Sequence, residues 1–466
     1  MSHLPLPPTL PGGVLFGSGP EAVADPLGLY TRAQRTLGDV VRLRGVPGLY
    51  WYLITHPSGV EHVLKTRGRN YRKPDRFNAP VRALAGNGIL AAEGDSWLQN
   101  RRLMQPAFHR QRLAGLVTQM AEASDAASER WEGVAAQGGT VDASEEMIRV
   151  TLRIVGTTMF SHDLSAEADA LGAPIRTSLH WVSRRLTLPV TAPEWMPTAE
   201  NRRFMADRSV VHSTVDAMIA ERRRSGETRP DLLQMLLDAR DADTGAGMDD
   251  VQVRHEALTL MLAGHETTAA ALSWAWYLLA RHPQALGQMR EELDSVLGGR
   301  APGMDDLARL PYTRAVFDET LRLYPPAWGQ PRESIEEDEI GGYRIPAGKI
   351  VMVCQWVTHR RPDLWDRPDD FVPERFLGAG PGTFPPFAYY PFGGGARFCI
   401  GSSFALMEAQ VILATLAQRF EVDLEPGQTI VPDATFTLRP KSGIRMRLRR
   451  RTPSRAPSVA PEPVRA

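Results

Sequence analysis

Cysteine is nearly absent from this sequence: Cys354 and Cys399 are the only two among 466 residues. So few thiols exclude a disulfide-built scaffold and a cysteine-rich zinc site, leaving two buried thiols or one special thiolate. Net charge is absent as well. The 54 basic and 54 acidic side chains cancel, so no single-sign field draws in nucleic acid or an anionic membrane, and neither is expected as a partner. Long apolar runs are also missing. No stretch approaches the roughly 20 residues of a membrane span, and the nearest, Leu258 to Ala280, is interrupted by His265 and Glu266. The opening MSHLPLPPTLPGG lacks the basic segment, apolar run and cleavage site of a signal peptide. These absences lead us to expect a cytoplasmic protein without a membrane anchor.

What is present is ordinary in bulk, with 43% hydrophobic and 23% charged residues, as in soluble globular proteins. The length admits several small domains or one large one. Pro5, Pro7, Pro8 and Pro11 favour an extended lead-in over residues 1–13. From Arg449 onward the chain is rich in Arg, Pro, Ser and Ala with little to bury, which predicts a disordered tail over 450–466. Between them, 14–449 reads as one folded unit, with DADTGAGMDD from Asp241 to Asp250 as a long exposed loop. Apolar periodicity predicts helices over Arg112 to Val134, Glu146 to Phe160, Asp207 to Arg224, Asp231 to Ala239, Val251 to Arg281, Pro283 to Leu297 and Ser403 to Gln418. Strand signals are fewer: Val40 to Arg44, Tyr50 to Thr55, Ile350 to Cys354 and Ile444 to Leu448. The fold class is mainly α with a minor β component.

The Val251 to Arg281 helix is apolar almost all round, so it should run through the core. Its centre reads Ala263-Gly264-His265-Glu266-Thr267-Thr268. Glycine there costs about 1 kcal/mol against alanine, and threonine hydroxyls compete for backbone carbonyls. Two readings are open: a packing notch where another helix crosses Gly264, or a local opening beside a flat ligand. In the second, Thr267 bonds a carbonyl or water and Glu266 relays protons.

Pro311 to Tyr324 predicts a further helix, closed by Pro325-Pro326. Glu319 and Arg322 share a face there, and alone they read as a surface ion pair worth a few tenths of a kcal/mol. Pro373-Glu374-Arg375-Phe376 changes that expectation if it brings Arg375 onto Glu319, because a carboxylate bracketed by two guanidiniums staples a loop to the helix. Finally, Phe392-Gly393-Gly394-Gly395-Ala396-Arg397-Phe398-Cys399-Ile400-Gly401 precedes the Ser403 helix. The glycines permit a tight turn. Gly401 and its successors offer amide donors at a helix N-terminus, where a thiolate at Cys399 is stabilised. Cys354, in a strand-like run, keeps the reading of an inert core thiol.

The loop matches Phe-x-x-Gly-x-Arg-x-Cys-x-Gly at every specified position. With Ala-Gly-x-Glu-Thr-Thr, Glu-x-x-Arg and Pro-Glu-Arg-Phe in the same order, the chain resembles the cytochrome P-450 family over nearly its whole length, and the soluble bacterial members in particular. That resemblance implies the cytochrome P-450 fold, a helical domain around a buried haem. It implies haem b with Cys399 as the iron ligand, Phe392 beside the sulfur and Gly401 in the ligand loop. It assigns Arg397, Trp97, Arg101 and Arg332 to the haem propionates, and Ala263 and Gly264 to the distal haem face. Thr267 holds the proton-delivering network and Glu266 feeds it; Glu319, Arg322 and Arg375 are structural. Arg102, Arg110 and Arg112 are candidates for a face that meets an acidic electron donor.

Unlike peroxide-using relatives, the chain carries an acid–alcohol pair at the distal position, which implies the cycle with O2 and two electrons. Only 67 residues follow Cys399, so we expect electrons from separate proteins, a ferredoxin and its reductase, serving a monomer. The expected pocket draws on Tyr71 to Ile89, His180 to Met205, Ala327 to Gly329 and the tip near Phe436, including Trp181, Leu186, Leu188, Val190, Trp195 and Trp328. A fatty-acid-hydroxylating relative has an Arg near the mouth where this chain has Leu49, although Tyr50 and Arg44 lie close in sequence. A terpenoid or other neutral lipophile is therefore favoured over a fatty acid as the molecule hydroxylated or epoxidised. A redox-independent isomerase or dehydratase and a non-catalytic haem carrier are the competing classes.

Overall fold

The computed structural model describes residues 3–162, 168–188, 190–241, 245–380 and 382–451. The central element is the helix Asp250–Arg281, 32 residues long and about 48 Å from end to end. Asp249 caps it by accepting the Gln252 N–H at 2.7 Å, and His282-Pro283 stops it. Leu258, Leu272 and Leu279 on it are fully buried, each contributing roughly 1.5–3 kcal/mol of burial. Helix Ala143–Phe160 packs along it, and Gly264 sits in the crossing. A Cβ at Gly264 would lie 3.2 Å from Val155 and 3.6 Å from Met159. The helix stays α-helical through Thr268, so of the two open readings the structure favours the packing notch at Gly264 over a local opening.

A five-stranded sheet lies apart from this bundle, in the order Val40–Arg44, Tyr50–Ile54, Ile350–Val353, Gln330–Ser334, Tyr71–Arg72. Its one parallel pair sets Trp51 against Ile350, so strands far apart in sequence build a single platform. A smaller sheet joins Thr140–Asp142, Arg445–Arg450 and Phe420–Leu424. The proline-rich lead-in runs beside the first strand: Leu10 donates to the Arg42 carbonyl and Arg42 to that of Pro8. At the other end Arg450 is still in a strand and Arg451 pairs with Asp294 at 2.5 Å. The folded body thus passes the boundary expected at Arg449, because the basic side chains there meet acids. The remaining expected tail, 452–466, lies outside the described residues, as do residues 242–244 of the expected loop.

Other differences have local causes. The helix expected over Arg112 to Val134 divides into Arg110–Ala114 and Val117–Ala136, since Gly115 and Leu116 bond back three residues, to Arg112 and Leu113. The helix expected from Asp207 begins at Ala199, where Thr198 accepts the Asn201 N–H at 3.1 Å. Helix Ala168–Thr187 was hidden by its internal Pro174. Among the described residues no helix is long and apolar enough to cross a membrane.

Helix Pro311–Leu323 anchors the loops beneath the sheet. Arg322 grips Glu319 through both nitrogens of its fork, at 2.7 and 2.8 Å, with both side chains fully buried. Arg375 reaches the same carboxylate at 3.3 Å, and the Val372 N–H donates to it at 2.9 Å. Arg322 also donates to the carbonyls of His359, Pro368 and Asp370. One guanidinium therefore holds a helix and two turns of the following loop together.

Candidate active site

The glycine-rich loop turns twice on residues with positive φ, Gly393 at 73° and Gly395 at 64°. A Cβ at Gly395 would stand 1.9 Å from the Leu64 carbonyl oxygen, so only glycine fits this approach. The loop then doubles back, with the Cys399 N–H donating to the Phe392 carbonyl at 3.0 Å, and runs into helix Ser402–Arg419. Cys399 opens onto an internal cavity. Burial pushes its thiol above the ordinary range, while the Gly401 N–H and the Arg101 charge pull it down. The amide donor is present as expected, yet desolvation outweighs it.

Cys354 differs in every respect. It is fully buried, donates to the Trp328 carbonyl at 3.5 Å, and is pushed up to about 12 by burial. Iodoacetamide at pH 8 should leave Cys354 unmodified in the native protein and modify it after denaturation, as peptide mass spectrometry reads directly; rapid native labelling would contradict the inert assignment.

The cavity holds about 900 Å³. Phe392, Phe398, Cys399 and Ile400 form one side, and Ala263, Gly264, Thr267 and Thr268 of the central helix line it too. Its wall is chiefly apolar, with Phe77, Val81, Leu186, Leu260, Trp328 and Phe436 among its members. Of the aromatic residues expected here, Trp328 and Phe436 arrive and Trp181 does not. Trp181 is stacked on Phe204 at 3.7 Å and donates to Asn201. Val190 and Trp195 are 84% and 80% exposed and do not line the cavity. Tyr50 and Leu49 line the cavity, whereas Arg44 is engaged with the Gly13 and Val14 carbonyls.

Cations gather at one edge of the cavity. Arg397 donates to Glu93 at 2.7 Å and lies over the Trp97 ring at 4.5 Å. Arg101, one turn beyond Trp97, donates to the Phe398 carbonyl at 2.9 Å. Arg332 is buried and held by the Pro331 carbonyl and Gln330; burial and then the Arg397 charge bring it down to about 10. Lys73 joins them, 3.9 Å from Glu93. Neither Lys73 nor Glu93 stood out in the sequence, because no local pattern marks a pair formed across the fold.

Arg397 and Lys73 thus share the Glu93 carboxylate, Arg332 is held by neutral acceptors, and the buried Nη1 of Arg397 has no hydrogen-bond partner. This surplus of positive charge fits a group that brings its own carboxylates. A flat macrocycle with two propionates and an iron facing Cys399 matches both the charge and the single thiol, so the residues present fit a haem.

On the central helix the Thr267 hydroxyl donates to the Ala263 carbonyl at 2.7 Å. Glu266 does not line the cavity. It is buried on another face, where its carboxylate accepts the Thr437 hydroxyl at 3.0 Å. Glu266, expected to feed the network held by Thr267, thus leaves the helix on a different side from Thr267, since adjacent residues diverge by about 100°. A second buried acid, Glu408 on helix Ser402–Arg419, sits behind the site. Burial raises it well above the carboxylate range, opposed by the Thr268 hydroxyl. Its place within the apolar run ALMEAQVILATLAQ was the available signal. Toward the surface, Arg102 meets Asp241 at 3.3 Å and Arg112 is exposed; the Arg110 side chain lies outside the described residues.

A family model described as Cytochrome P450 matches residues 7–447. Cyclooctatin synthase of Streptomyces melanosporofaciens is 37% identical, covering 86% of both chains. From the same organism, cyclooctat-9-en-7-ol 5-monooxygenase is 37% identical over 84% of both. Pentalenene oxygenase of Streptomyces avermitilis is 35% identical, over 89% of this chain and 91% of the relative.

Proposed function

The chain belongs to the cytochrome P450 family, and from that premise we propose how its own residues carry out monooxygenation. The family's haem iron, when bound, activates O2 with two electrons from a redox partner and delivers one oxygen atom to the substrate. In this reading residues 14–449 act as one catalytic unit and the haem is of the b type. Cys399 is its iron ligand, kept apart from bulk water by Phe392. Arg397, Arg101 and Arg332 hold the propionates, with Trp97 bracing Arg397. Arg397 then exchanges Glu93 for a propionate, and its idle Nη1 gains an acceptor.

Ala263 and Gly264 lack bulk, so the helix approaches the flat group closely. Thr267 holds and passes a proton at Oγ1, releasing the Ala263 carbonyl as it does so. Glu266 serves as a reserve acid, reached when its side chain turns away from Thr437. Electrons come from a ferredoxin and its reductase, for which the exposed Arg112 supplies a local positive charge. The observation that carries this reading is the meeting of Cys399, Thr267 and the surplus cations around one cavity.

The substrate in this reading is a neutral lipophile of terpenoid type, hydroxylated or epoxidised. Apart from the propionate cluster, the wall's one guanidinium among the described residues is Arg76, which is exposed and bonded to the Leu188 carbonyl. A fatty-acid carboxylate thus finds little to bind inside. Relatives named for an alkenol and for pentalenene support the same class.

With a surrogate ferredoxin system, product formation should consume O2 and NADPH, and turnover without either would overturn the assignment. Thr267→Ala should keep NADPH consumption, lower product per NADPH roughly 100-fold, the lower end of the contribution of a positioned proton donor, and raise peroxide release. Unchanged coupling would remove Thr267 from proton delivery.

A further inference from the structure

The segment from Gly86 to Ala92 forms part of the cavity wall through Ile89 and Leu90. It lies against the central helix so closely that a Cβ at Gly86 would stand 1.9 Å from the His255 ring, and one at Gly88 2.2 Å from the Thr259 hydroxyl. Two ionisable groups hold it, the buried Glu256 through a backbone N–H and the half-buried Lys73 through backbone carbonyls. Glu256, wholly inaccessible, accepts the Ile89 N–H at 2.9 Å and is itself held by Gln252 at 2.8 Å. Lys73 donates to the carbonyls of Ile89, Leu90 and Ala92 at 3.2, 2.6 and 3.1 Å. Asn78 adds a bond to the Ala91 carbonyl at 2.9 Å.

Both placements are costly. Burial pushes Glu256 up to about 7, opposed by the Ile89 amide, the Gln252 amide and the Lys73 charge. Burial also brings Lys73 down to about 7, helped by Arg397 and resisted by Glu93. Glu256 lies four residues before Leu260, seven before Ala263 and eleven before Thr267, so it shares their face of the helix. The cavity face and the loop clamp are therefore one rigid surface. Lys73 Nζ is engaged by three carbonyls of the segment, which offers the cavity the apolar side chains of Ile89 and Leu90.

We propose that Glu256 and Lys73 are positioning residues that clamp segment 86–92 as a fixed wall, and that the position of this wall selects how a neutral substrate is oriented in the cavity. The second half rests on the monooxygenase reading above; the clamp itself does not.

The test uses the full-length haem-loaded protein and two azole probes. Imidazole is too small to require the wall, and 4-phenylimidazole reaches into the cavity. Glu256→Leu should raise amide exchange of 89–92 at least roughly fivefold, the scale of losing a buried acceptor. It should also change the ratio of the 4-phenylimidazole to the imidazole dissociation constant by a similar factor. Glu256→Gln, which keeps an acceptor for Ile89, should restore both values. If Glu256→Leu does not fold, Lys73→Met carries the same two measurements.

Unchanged exchange in these variants would overturn the clamp. Raised exchange with an unchanged azole ratio would overturn the orienting role. A wild-type protein with no spectral response to either azole would instead strike the haem reading, while the exchange arm still judges the clamp.

Discussion

Replacing Arg322 by alanine is expected to leave no cooperatively folded protein. The change strands Glu319 at zero exposure, with only Arg375 and the Val372 N–H remaining, and orphans the carbonyls of His359, Pro368 and Asp370. Removing one partner of a buried ion pair costs about 3–5 kcal/mol, before the carbonyls are counted, against a typical total stability of about 5–15 kcal/mol. Arg322→Lys should be nearly as damaging, because an ammonium cannot reproduce the bidentate fork. Arg375→Ala should cost less, since Arg375 reaches Glu319 by one longer contact and its other bond, to the Arg367 carbonyl, lies at the surface. Thermal unfolding followed by far-UV circular dichroism reads this order. Wild-type melting of Arg322→Ala would show that the triad is not what joins helix Pro311–Leu323 to the loop.

That triad was legible in part. Glu319 and Arg322 sit three apart on a helix, and their shared face follows from the sequence. Their complete burial does not, because it depends on a loop some 50 residues further on. The cysteine loop was more legible, since its glycines, its thiol and the helix start lie within a dozen residues. Helix Pro283–Leu297 and strand Val40–Arg44 were legible to the residue for the same reason: proline, caps and alternation act locally.

The residues whose surroundings were not legible share a different cause. Glu266 was assigned from the motif it shares with Thr267, and its bond to Thr437 depends on a segment far along the chain. Glu256, by the helical period, faces the cavity wall, and its role shows only once Ile89 arrives from far along the chain. Trp181 was assigned to the pocket with the whole span His180 to Met205, and an aromatic stack with Phe204 claimed it instead. Lys73 and Glu93 gain their meaning from Arg397, more than 300 residues away. Local chemistry named the reactive group; the fold decided which neighbours serve it.

The nearly cysteine-free composition makes the central claim sharply testable. Only two thiols are available, and their surroundings differ: Cys399 opens onto the cavity beside Arg101 and the Gly401 amide, while Cys354 is sealed in the core with its thiol pushed up to about 12. The decisive measurement is the absorption spectrum of the dithionite-reduced, carbon-monoxide-treated protein for the wild type, Cys399→Ser and Cys354→Ser. The wild type and Cys354→Ser should show the red-shifted Soret band of a thiolate-ligated haem, and Cys399→Ser should lose it completely. Retention of that band in Cys399→Ser, or its loss in a folded Cys354→Ser protein, would contradict the assignment of Cys399 as the haem ligand.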